Sequence, residues 1–78
     1  MTRSLYHYAY TLESQSAAGE IYTGQTSDLR RRLEEHNAGK VPHTSKCCPW
    51  VIRSATAFRE RERALAFERY LKSGSGRA

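Results

Sequence analysis

Two short segments with the period of a β-strand lie close together, and a segment with the period of a helix follows them at once. Residues 5 to 13 read Leu-Tyr-His-Tyr-Ala-Tyr-Thr-Leu-Glu. Tyr6, Tyr8, Tyr10 and Leu12 recur at every second position, which places them on one face of a strand. Ser14 to Gly19 is small and polar and suits a hairpin loop. Glu20 to Gln25 resumes the strand pattern, with Tyr22 opposite in sense to Ile21 and Thr23. So short a connection pairs the two strands antiparallel. The fold must therefore start as a hairpin, and what comes next has to cover it.

What comes next is amphipathic. Thr26, Ser27 or Asp28 can cap a helix running to about His36, and Asn37 and Gly39 supply left-handed geometry to end it. Residues 40 to 49 read as a loop closed by Pro49. Trp50 to Phe58 predicts a third strand, with Trp50 as a core aromatic, and a second helix is expected from about Arg59 to Lys72. The expected fold is an α+β domain: a small three-stranded antiparallel sheet flanked by helices, in the order β-β-α-β-α. Residues 3–73 form that domain, and residues 74–78 read as a flexible tail.

With 78 residues there is one domain and one thin core. A chain of this size buries only about 60% of its unfolded surface, so an ionisable group facing inward needs a reason. Lys and Arg number 13 against 8 Asp and Glu, for a net charge of +5. Most of the cations are arginine, whose planar fork suits phosphate and stacks on bases. Nucleic acid is a fitting partner for such a surface. The two cysteines, Cys47 and Cys48, are adjacent and cannot staple a fold, which argues against a disulfide framework. We read them as reduced, in a cytoplasmic protein. No apolar run suits a membrane span and no signal-peptide pattern is seen.

Several residues break the amphipathic pattern. Leu29, Arg32, Leu33 and His36 share one face of the first helix, so Arg32 and His36 point where apolar residues belong. Arg30 and Arg31 take the solvated side. In the second helix Arg61, Ala64, Leu65, Glu68 and Leu71 share a face, which sets the Glu68 carboxylate among apolar neighbours. One reading is structural: Arg32 and Glu68 pair across the core, and the tyrosines form an aromatic wall. The other is catalytic. Phosphodiester hydrolysis needs a base for water, cations for developing charge and help for the leaving oxygen. Glu68 can hold magnesium or manganese, Arg32 can clamp a phosphate, and a tyrosine or His36 can relay a proton.

At these residues the chain resembles the GIY-YIG nuclease family. Tyr8-Ala9-Tyr10 matches the first signature segment, keeping its final tyrosine, and Tyr22-Thr23-Gly24 matches the second, keeping Tyr22 and Gly24. Arg32 and His36 match the family's helix, where an arginine is followed four residues on by His or Tyr. Ala64-Leu65-Ala66-Phe67-Glu68 resembles the stretch that carries its metal-binding glutamate. Two positions depart: Tyr8-Ala9 replaces Gly-Ile, and Gln25 stands where several relatives place a lysine.

The resemblance implies metal-dependent cleavage of DNA, with Tyr10, Tyr22, Arg32, His36 and Glu68 as the catalytic set. Tyr10 is the favoured activator of water, helped by nearby positive charge, and Tyr22 supports it or the phosphate. Gln25, Arg30, Arg31 and His43 are candidate DNA contacts. The chain has no room for an added DNA-binding domain. Weak and poorly specific cutting is therefore expected, or specificity from a partner protein or from DNA structure, in DNA repair or in phage and mobile-element biology. The competing readings are a non-catalytic nucleic-acid-binding module on the same scaffold and an interaction subunit whose polar cluster is structural.

Overall fold

The computed structural model describes residues 5–73; the proposed tail at 74–78 and the first residues of the expected domain lie outside them. Within that range the elements run β1 (His7–Ser14), β2 (Ile21–Thr26), α1 (Leu29–Asn37), a single 3₁₀ turn (Ser45–Cys47), β3 (Trp50–Phe58) and α2 (Arg61–Lys72). The expected order β-β-α-β-α holds. Among the described residues no helix is long and apolar enough to cross a membrane.

The strands form one antiparallel sheet in the order β2-β1-β3. The hairpin register sets Tyr10 opposite Gly24 and Leu12 opposite Tyr22. Across the other edge of β1, Thr11 faces Ser54 and Leu12 faces Ile52, so Arg53 is the extra residue of a β-bulge. Ser14 closes the hairpin loop. Its buried hydroxyl accepts the backbone N–H of Ser16 and of Ala17 at 3.1 and 2.9 Å. The same hydroxyl donates to the Cys47 carbonyl at 2.6 Å, tying the loop before β3 to the hairpin.

The first helix begins as its sequence demands. Asp28 is the N-cap, and its carboxylate accepts the Arg31 N–H at 3.1 Å. It ends in a Schellman motif: Lys40 N–H reaches the Glu35 carbonyl at 3.1 Å and Gly39 N–H reaches that of His36 at 3.2 Å. Gly39 supplies the left-handed backbone, with φ of 75°. Asn37 does not; it is the last helical residue. Its amide instead accepts the Trp50 N–H and donates to the Trp50 carbonyl at 3.0 Å, as a neighbouring strand would. The helix is thereby fastened to the start of β3.

Tyr10, Leu12 and Trp50 are the buried core, with Tyr22, Leu29, Leu33, Cys47 and Cys48 packed around them. Leu29 and Leu33 are the apolar residues of the α1 face named above, so Arg32 and His36 are carried to the same region. The second helix packs on β1 and β2 through a fully buried Ala64, and its Phe67 ring lies 5.6 Å from that of Phe58.

Candidate active site

Gly24 makes room for the first site residue. A Cβ there would lie 2.6 Å from the Tyr10 hydroxyl oxygen and 2.8 Å from Cζ of its ring. The ring of Tyr10 therefore lies directly over bare backbone. This is the physical reason for a glycine two positions after Tyr22. The Tyr10 and Tyr22 ring centroids are 6.3 Å apart, and Tyr22 sits 4.7 Å from the His36 ring. Three aromatic rings from β1, β2 and α1 thus meet at one point.

His36 is fully buried and Tyr10 is 1% exposed. The Tyr10 hydroxyl lies 3.0 Å from His36 Nε2. The other ring nitrogen, Nδ1, lies 2.8 Å from the hydroxyl of Thr44, which reaches on to the Val41 carbonyl at 3.3 Å. A continuous buried hydrogen-bond chain therefore runs from Tyr10 into the loop after α1. Trp50 closes it by donating its indole N–H to the Thr44 carbonyl at 2.9 Å.

The electrostatics follow from burial. Loss of solvent pushes the Tyr10 phenol up to about 12, and the nearby Tyr22 and Glu68 add to that, while Arg32 beside it opposes the rise. Arg32 by itself does not bring this tyrosine toward neutrality in the resting protein. Burial outweighs the guanidinium. His36 moves the other way: desolvation first, then the Arg32 charge, hold its pKa below the ordinary histidine value. Both members of the pair are neutral at pH 7.

Arg32 is partly exposed and is held by the carboxylate of Glu35 at 2.9 Å. Glu35 also takes Arg31, at 3.4 Å. Hydrogen bonding to Arg32 is the main reason the Glu35 pKa lies below its ordinary value, and the same bond holds Arg32 above its own. These side chains face a groove of about 300 Å³ lined by Gln25, Thr26, Ser27, Asp28, Arg31, Arg32 and Glu35. Of the candidate DNA contacts, Gln25 and Arg31 share this groove with Arg32. Arg30 is exposed on α1, and His43 is exposed on the loop beside Thr44.

Glu68 does not bond Arg32. Each finds a partner on its own helix: Arg32 takes Glu35, and Glu68 takes Lys72 at 2.9 Å. The cross-core ion pair of the structural reading is therefore absent among the described residues. Glu68 is 17% exposed and near enough for its charge to act on Tyr10. No group of three or more His, Cys, Asp or Glu side chains among the described residues is arranged to hold a metal. A lone carboxylate still suits magnesium, which keeps several waters and takes its other ligands from substrate phosphate.

Thr44 is the residue that the sequence did not reveal. It carries no charge and lies in a segment without periodicity. Only its place between Val41 and Ser45, in a loop short enough to fold back on the end of α1, gives it a role.

Residues 6–77 match the family described as the GIY-YIG catalytic domain. The chain is 38% identical over 69 residues to a UPF0213 protein of Haloquadratum walsbyi, covering 87% of this chain and 75% of that one. It is 35% identical over 72 residues to a UPF0213 protein of Streptococcus agalactiae, covering 91% and 80%. Among solved structures, the solution NMR structure of a UPF0213 protein from Bacillus halodurans superposes with a TM-score of 0.51 at 35% identity, covering 86% of this chain and 70% of that one.

Proposed function

The chain belongs to the GIY-YIG family, a nuclease-type fold for processing nucleic acids, and we propose that it is a metal-dependent endonuclease that hydrolyses phosphodiester bonds in DNA. The observation that carries this reading is the Tyr10–His36 hydrogen bond at 3.0 Å, with Arg32 beside the same hydroxyl. A purely structural aromatic wall has no use for a buried imidazole and a guanidinium on one phenol.

The pKa directions decide how the pair can work. With the Tyr10 phenol pushed up to about 12 and the His36 imidazole held below its ordinary value, full proton transfer at rest is uphill. Tyr10 is therefore no standing phenolate. On this reading it is a shuttle. As water attacks phosphorus, the Tyr10 oxygen takes a proton from the water while its own proton passes to His36 Nε2. The phenolate never has to accumulate.

Arg32 acts on the phosphate. A phosphate oxygen entering the groove competes with Glu35 for the Arg32 fork, and Arg31 and Gln25 lie where the neighbouring backbone would pass. Tyr22, less buried than Tyr10, supports the phosphate or the tyrosine from the side. Glu68 would hold magnesium or manganese, giving up Lys72 to do so; the bound ion supplies charge that stabilises the transition-state oxygens. A separate protein or the shape of the DNA supplies specificity.

The test is cleavage of labelled branched, single-stranded and duplex DNA with magnesium or manganese, comparing the unaltered chain with Arg32→Ala and Glu68→Ala. Metal-dependent cutting that both changes abolish supports the proposal. Cutting that survives both overturns the site. Salt-dependent binding without cutting, under every metal condition, overturns the enzyme reading in favour of a binding module.

A further inference from the structure

We propose that Thr44 is a positioning residue, which holds His36 as its Nδ1–H tautomer and so aims the free lone pair of Nε2 at the Tyr10 hydroxyl. The catalytic consequence rests on the nuclease reading; the tautomer itself does not.

Both ends of the buried chain favour the same direction. At one end, the Val41 carbonyl can only accept and lies 3.3 Å from the Thr44 hydroxyl, which can donate its single proton there. Its lone pair then accepts from His36 Nδ1 at 2.8 Å, which requires the proton on Nδ1. At the other end, Arg32 beside the Tyr10 hydroxyl is a donor only. It offers no acceptor to the phenol proton, which must find one elsewhere. His36 Nε2, 3.0 Å away, is that acceptor only when it is bare. The reverse arrangement would turn Nε2 into a donor and leave the Tyr10 proton facing a guanidinium.

Thr44 is well placed to impose this. It is 1% exposed. Its carbonyl accepts the Trp50 indole at 2.9 Å and the Cys47 N–H at 3.1 Å, and its own N–H bonds the Val41 carbonyl at 3.0 Å. The hydroxyl is thus fixed by a backbone that is fastened to the core. During turnover the Tyr10 proton moves to Nε2, the water proton moves to the Tyr10 oxygen, and the Nδ1 proton stays on Nδ1, hydrogen-bonded to Thr44, throughout. The imidazolium so formed donates from both nitrogens, and its Nε2 proton passes back to the Tyr10 oxygen as that oxygen gives its own proton to the leaving oxygen, which restores both groups.

The direct measurement is ¹⁵N NMR of the His36 ring in the unaltered chain, in Thr44→Val and in Thr44→Ser. The unaltered chain should show a protonated Nδ1 and a bare Nε2. Valine keeps most of the volume but removes the acceptor, so Nε2 should become protonated or the two forms should mix. Serine should restore the original pattern. Where DNA is cut, Thr44→Val should lower kcat at least tenfold with KM within about twofold, and Thr44→Ser should recover it.

A protonated Nε2 in the unaltered chain overturns the proposal, and that spectrum needs no variant to fold. An unchanged tautomer in folded Thr44→Val overturns it as well. If the tautomer shifts as expected while the unaltered chain cuts no DNA, the positioning role of Thr44 is supported and the nuclease reading is the one that fails.

Discussion

The Tyr10 hydroxyl stands 3.0 Å from His36 Nε2, between two side chains that solvent scarcely reaches. Burial drives their pKa values apart, the phenol upward and the imidazole downward. Each therefore leaves a signature at its own end of the pH scale.

At the acid end the group is His36. In the unfolded chain it binds a proton near pH ~6.5, whereas the folded protein resists that proton to lower pH. Stability from a neutral His36 is complete above the unfolded value and is lost as pH falls through the folded one. Denaturant unfolding between pH 7.5 and 5 should show this loss, and His36→Gln should flatten the slope. An equal acid slope in both proteins would mean that His36 is not held neutral. Cleavage should share the same acid limb, because protonated Nε2 cannot accept from Tyr10.

At the alkaline end the sign reverses. Tyr10 keeps its proton up to about pH 12, while the unfolded chain loses it near ~10. The unfolded state then gives up a proton that the folded state retains, so stability falls as pH rises across that window. The loss is at most about 3 kcal/mol, less where residual solvent screens the phenol. Tyr10→Phe should remove that part of the alkaline slope. Absorbance titration should show a phenol step near pH 12 that Tyr10→Phe removes.

Gly24 is constrained by Tyr10 and not by its own backbone angles. Gly24→Ala would put a methyl 2.6 Å from the Tyr10 oxygen, and a ring pinned in the core cannot step aside freely. The expected cost is about 1–3 kcal/mol, as for an overfilled core. The ring of Tyr10 should also move off His36. A variant with unchanged melting and an unchanged tyrosine titration would show that the close approach is not maintained in solution.

Glu68 separates a structural role from a chemical one. A buried Arg32–Glu68 pair would cost about 3–5 kcal/mol when broken. The pair formed is Glu68 with Lys72, four residues on and half exposed, worth about 0.5 kcal/mol or less. Glu68→Gln should therefore melt within a degree or two of the unaltered protein while losing metal-dependent cutting. A large drop in melting temperature would restore the structural reading.

Much of this was open to sequence reasoning because it is periodic. Alternation marked the strands, and the spacing of Leu29, Arg32, Leu33 and His36 put an arginine and a histidine on the inner face of α1. The bounds of β3 came out as Trp50–Phe58 because Pro49 and the aromatic ends frame it. What escaped was set by side chains meeting backbone. Asn37 reads as a left-handed helix end, but Gly39 takes that geometry and frees Asn37 to clamp Trp50. Thr44 gives no periodic or charge signal at all. The alternative pairing of Arg32 with Glu68 is not formed, because a local i, i+3 carboxylate, Glu35, takes the guanidinium.

The central claim is that Tyr10, Arg32, His36 and Glu68 form one hydrolytic site. Its most direct measurement is the single-turnover cleavage rate of labelled DNA with magnesium, for the unaltered chain and for folded Tyr10→Phe and Glu68→Gln. The site predicts a fall of at least ~100-fold in each variant, the scale of a lost proton shuttle or a lost charge stabiliser. Cutting at the original rate by both folded variants would contradict it.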